Sequence, residues 1–71
     1  MIMVEIFKTN VYAKSTAQKL IKVLKEHFPQ FKINFDLQDC DRILRVEGYQ
    51  LEIQKIKSIV NEKGFICEVI L

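Results

Sequence analysis

The chain has 71 residues and a formal net charge of +2, with 49% hydrophobic and 28% charged residues. Seventy-one residues make at most one domain, and this hydrophobic content excludes a disordered chain, which would lack the apolar side chains needed to offset chain entropy. The net charge is too small to indicate nucleic-acid binding by itself.

The chain begins with a predicted strand at residues 2–8 (IMVEIFK), a run rich in β-branched and aromatic residues. Glu5 interrupts this apolar start and no small-residue cleavage site follows it, so the segment does not resemble a signal peptide. No apolar run approaches the ~20 residues that a membrane span needs. We therefore expect a cytoplasmic protein without membrane association, in which Cys40 and Cys67 are reduced.

A first helix is predicted from apolar residues that recur at spacings of three and four. It begins at Asn10 or Val11, or at Ser15, which is followed by Gln18 in the spacing of a capping box. Pro29 ends it, because proline restricts the residue before it. The predicted apolar face comprises Ala13, Ala17, Leu20, Ile21, Leu24 and Phe28.

Strict alternation of apolar and polar residues over 31–37 (FKINFDL) predicts a strand with one buried face. A polar turn at 38–41 and a further strand at 42–48 follow, which together indicate a hairpin. Residues 49–64 then carry isoleucine and valine at helical spacing and end in a glycine, and 65–71 form a closing strand.

The order β-α-β-β-α-β predicts a single α+β domain over residues 1–71 with a ferredoxin-like sandwich fold. Right-handed crossovers favour a four-stranded antiparallel sheet with both helices on one face and with strands 1 and 3 in the centre. In this topology the loop at 9–12, the hairpin tip at 38–41 and the turn at 63–65 lie at the same end of the sheet. We expect any site in the loops to lie at that end.

The element order, the chain length and the loop sequence Lys8-Thr9-Asn10 resemble the heavy-metal-associated domain, a family that includes copper chaperones and the N-terminal domains of metal-pumping ATPases. The signature of that family in this loop is Met-Thr-Cys-x-x-Cys. Aligned on the motif threonine, Asn10 and Ala13 stand where the family has its two cysteines. The resemblance thus implies a soft-metal loop without its thiolate ligands, so we expect no metal and no other cofactor there. In the family, apolar residues follow the first cysteine at fixed spacings. Counted from Asn10, these positions are Ala17, Leu20, Ile21 and Leu24, all apolar, which supports the alignment.

An alternative metal site is Cys40 together with Asp39 or Asp41, at the hairpin tip. The simpler interpretation is a polar turn, since aspartate is a common turn residue and the spacing fits no calcium loop. Cys67 lies on the apolar face of the last strand and is expected in the core, where a free cysteine behaves as a small hydrophobe.

Neither catalysis nor nucleic-acid binding is indicated. His27 is the only histidine, and without a paired nucleophile it does not form a catalytic arrangement. The third strand carries no exposed aromatic residues of the kind that an RNA-binding sheet of this topology uses.

Two surfaces are predicted to bind a protein. One is the uncovered sheet face, where apolar side chains rimmed by charge are typical of an interaction surface. The other is the lysine-rich side of the first helix, which would favour an acidic partner. We therefore expect a small non-enzymatic module that binds a partner protein or a second copy of itself, with metal binding through non-standard ligands as the alternative. The predicted sheet-face residues are Met3, Phe7, Ile43, Ile66 and Ile70, and the predicted lysines are Lys14, Lys22 and Lys25.

Overall fold

A computed structural model describes residues 1–70; Leu71, the last residue of the predicted closing strand, lies outside the described residues. The elements are β1 (Met3–Thr9), α1 (Lys14–His27), β2 (Lys32–Asp36), β3 (Ile43–Gly48), α2 (Ile53–Glu62) and β4 (Cys67–Val69). The strands form one antiparallel sheet in the order β2-β3-β1-β4, and the buried faces of both helices pack on the same side of it. This is the ferredoxin-like fold expected from the sequence.

The β2–β3 hairpin follows the predicted alternation. Ile33 is buried and Phe35 is half-buried, while the polar residues that alternate with them, Lys32, Asn34 and Asp36, are exposed. In β3, Leu44 and Val46 point into the core and Arg45 points out. The pairs Ile33–Val46 and Phe35–Leu44 lie opposite each other, so the hairpin presents a continuous apolar surface to the helices.

The side chains of β1 lie on the opposite faces of the sheet from those predicted, as in a strand whose register is shifted by one residue. Phe7 is fully buried in the core and pairs with Leu44 and Val69, so its predicted location on the uncovered sheet face is wrong. Because successive side chains of a strand alternate between the two faces, Met3 lies on the helix side too, although it is exposed at the end of the sheet. The uncovered face instead carries Val4 and Ile6.

The helices are held by packing more than by side-chain caps. The predicted capping box is wrong, because α1 begins at Lys14, before Ser15, and its N-cap Ala13 offers no side-chain acceptor. The helix ends at His27, before Pro29, as predicted. After α2, Gly64 adopts a φ of +93°, a conformation that glycine favours at the end of a helix. Within residues 1–70, no helix combines the length and the apolar character needed to cross a membrane.

Gly48 lets the core close at the end of β3. A Cβ at this position would lie 2.5 Å from Cδ1 of Phe31, far closer than van der Waals contact. The Phe31 ring in turn stacks on Phe28, with ring centroids 5.0 Å apart. The end of α1 is thereby joined to the start of β2.

Candidate functional site

The loop between β1 and α1 is fastened to the neighbouring loops at the predicted end of the sheet. The buried Thr9 donates a backbone hydrogen bond to the carbonyl of Asp41 at 3.1 Å, and its hydroxyl donates to the carbonyl of Arg42. Asn10 Oδ1 accepts a hydrogen bond of 2.8 Å from the amide of Ile66. The three loops expected to meet do meet, and the Asn10 amide oxygen is occupied by the backbone.

The hairpin tip brings the side chains of Asp39, Cys40 and Asp41 together, with one ligand atom of each within 4.8 Å of the others. Two of the three groups already have contacts. Asp39 Oδ1 accepts a hydrogen bond of 2.8 Å from the Asp41 amide, and Asp41 Oδ1 lies 3.9 Å from Lys8 Nζ. The hydrogen bond between Asp39 and the Asp41 amide is typical of a turn stabilised by aspartate.

Cys67 is in the core, as predicted, with 1% of its surface exposed. Burial raises the pKa of its thiol from 9.0 to about 12; nearby Lys57 opposes the rise and Glu68 adds to it. Because the thiol is buried and protonated at neutral pH, Cys67 packs as a small hydrophobic residue.

The uncovered side of the sheet carries an aliphatic cluster. Val4 and Ile6 lie two residues apart on β1, and the Ile70 amide donates a hydrogen bond of 3.0 Å to the Ile6 carbonyl, which sets the two isoleucines opposite each other. Ile43 lies opposite Lys8, diagonally beside Ile6. We call Val4, Ile6, Ile43 and Ile70 the open-face patch. Ile66 is also exposed, but Glu68 separates it from Ile70 along the chain.

Charged residues of both signs surround the open-face patch. Lys8 lies opposite Glu68 on β4, and Glu47 lies opposite Lys32 on β2. The Arg45 guanidinium lies 3.2 Å from the Glu47 carboxylate. Asp36 lies opposite Ile43. With it, the strands of this face carry three acidic and three basic side chains, so the face is close to neutral.

Arg42 connects the loops and was not singled out from the sequence. It has a φ of +50°, unusual for a residue with a side chain. Its guanidinium donates to the Leu37 carbonyl and lies 4.6 Å from the ring centroid of Tyr12, in cation–π geometry. Its role follows from contacts between distant segments, and no local sequence pattern signals such contacts.

The three lysines predicted as a dock for an acidic partner are spread along α1. Lys25 Nζ donates a hydrogen bond of 2.8 Å to the Phe31 carbonyl, so this lysine supports the start of β2. Lys14 lies at the other end of the helix, about 16 Å away at 1.5 Å per residue, beside β2. Of these three lysines, only Lys22 lines the groove between α1 and the turn after α2. The dock for an acidic partner on these lysines stays a prediction.

No family model, no curated protein and no solved structure matches this chain.

Proposed function

We propose that this protein is a non-enzymatic cytoplasmic interaction module that pairs with a second copy of itself through the open-face patch. The proposal includes the resemblance noted above: a heavy-metal-associated domain in which Asn10 and Ala13 replace the metal-binding cysteines. The single observation that carries it is the aliphatic cluster on the sheet face that α1 and α2 leave uncovered. Val4 and Ile70 are 45% and 39% exposed there.

The sheet face is small for a protein interface. It consists of four strands, the longest of seven residues, and at usual strand spacings it covers roughly 400 Å², about half of what each partner contributes to an interface of standard size. Burial of apolar surface favours association by about 25 cal/mol per Å², and the entropy of association opposes it. We expect a weak, reversible dimer.

The charge pattern favours a second copy over a strongly charged partner. A two-fold symmetric interface places the same surface on both sides, so the surface must be complementary to itself. A face with equal numbers of acidic and basic side chains meets this condition, because each sign can face the other across the two-fold axis. A uniformly basic or acidic face would repel its copy.

A metal function through the hairpin tip is the weaker proposal. The carboxylates of Asp39 and Asp41 already contact an amide and an ammonium group. Soft ions prefer thiolates, and the tip supplies only that of Cys40.

Sedimentation velocity over a concentration series tests the pairing. The wild-type protein should show a weight-average sedimentation coefficient that rises with concentration. Val4→Lys should raise the dissociation constant of the dimer at least tenfold, since it places a charge in the apolar interface.

Met3→Lys is the matched control. Met3 neighbours Val4 and has the same 45% exposure, but it lies on the helix side of the sheet. It should leave the association unchanged. A wild-type protein that stays monomeric at millimolar concentration would refute the proposal, and so would equal effects of the two substitutions.

A further inference from the structure

The helix layer contains a second surface suited to binding, a groove of about 470 Å³ between α1 and the turn after α2. Its floor is apolar. Leu20 is almost fully buried there, and Val23 and Phe65 are half-buried. Grooves with an apolar floor and a few polar groups at the rim are the usual form of a binding site.

The rim of this groove is basic. Lys19, Lys22 and Lys63 line it, and Glu26 is its single acidic residue. The ion pairs found within residues 1–70 involve other cations, Lys8, Arg45 and Lys57. The three rim lysines are therefore free of intramolecular ion pairs in this part of the chain and leave a local excess of positive charge.

We propose that this groove binds an acidic peptide segment of a partner protein, with one large apolar side chain between flanking carboxylates. The apolar side chain packs on Leu20, Val23 and Phe65. The flanking carboxylates pair with the rim lysines, whose positive charge steers the approach and selects against basic segments. This surface is in the helix layer, opposite the open-face patch, so the inference does not depend on self-association.

The test is a titration of the ¹⁵N-labelled protein with the capped pentapeptide Asp-Glu-Phe-Glu-Asp, followed by chemical-shift changes at a protein concentration where the chain is monomeric. We expect saturable shifts at the amides of Lys19, Val23, Lys63 and Phe65. Replacing the peptide phenylalanine by alanine, or its acidic residues by the corresponding amides, should each weaken binding at least fivefold. Higher salt should also weaken binding, because surface charge is screened.

Two α1 variants complete the experiment. Lys22→Glu reverses a charge at the rim and should weaken binding at least tenfold. Lys14→Glu reverses the charge of another exposed lysine of α1, away from the groove, and should change binding less than twofold. Absence of saturable shifts at millimolar peptide, shifts spread over all lysine-bearing surfaces, or equal effects of the two variants would each overturn the proposal.

Discussion

Asn10 has a structural role in the loop between β1 and α1, at a position where the proposed resemblance to the heavy-metal-associated family would place a cysteine. Its side-chain oxygen accepts the hydrogen bond of the Ile66 amide, so it fastens the segment before β4 to the end of β1. Thr9 fastens the same end to the hairpin through Asp41 and Arg42. The amide side chain of Asn10 thus links two loops.

Removing that link should weaken the fold by a modest amount. We expect Asn10→Ala to lower the free energy of unfolding by about 1 kcal/mol, the typical net contribution of one hydrogen bond, measured by urea denaturation. Asn34→Ala is the control, because Asn34 is exposed on β2, and it should change stability by less than about 0.5 kcal/mol. Equal effects of the two would show that the Asn10 contact contributes nothing specific.

At the scale of elements, the strand β2 was predictable and the facing of β1 was not. In β2 every second residue is polar, so only one facing buries the apolar set. In β1 both alternating sets contain apolar residues, with Met3 and Phe7 on one side and Val4 and Ile6 on the other. The choice depends on which set the helices cover, and local alternation does not contain that information. Burial of Phe7, the largest side chain of β1, decides it.

The start of α1 also differs from the start that the sequence pattern predicted. Ser15 and Gln18 have capping-box spacing, but the helix begins one residue earlier, where Ala13 has extended backbone angles of −91° and 134°. A cap residue needs this backbone conformation together with a side-chain acceptor. Packing of the α1 apolar face therefore sets the start of this helix, and its first turn is left without a cap.

Supplying the missing cap should stabilise the domain. We expect Ala13→Asp to raise the free energy of unfolding by about 1 kcal/mol, because its carboxylate can accept hydrogen bonds from the first turn and is favoured by the helix dipole. Thermal or urea unfolding measures the change. Ala13→Asn supplies the acceptor without the charge and should retain most of the gain, whereas Ala13→Val offers no acceptor and should show none. A gain with valine would rule out capping as the cause.

At the scale of the whole molecule, the element order and hydrophobic spacing were enough to predict the ferredoxin-like fold and the end of the sheet where the loops meet. The uncovered sheet face was predicted as an interaction surface, with Ile43, Ile66 and Ile70 on it. Its residues Val4 and Ile6 were not identified, because their position depends on which way the side chains of β1 point. The groove in the helix layer was not predicted, since it joins α1 to residues more than thirty positions later in the chain. Neutral charge on one face and basic charge at the groove give the domain two different surfaces on opposite layers.

The pairing of two copies through the open-face patch is tested most directly by nuclear Overhauser contacts between differently labelled copies. A mixture of protein with ¹³C-labelled isoleucine methyl groups and unlabelled protein, at a concentration where sedimentation shows association, reports only contacts that cross the interface. We expect such contacts at the methyl groups of Ile6, Ile43 and Ile70, and none at the buried Ile56 of α2. Contacts confined to the helix layer, or none at any isoleucine of the open face, would contradict the proposed mode of association.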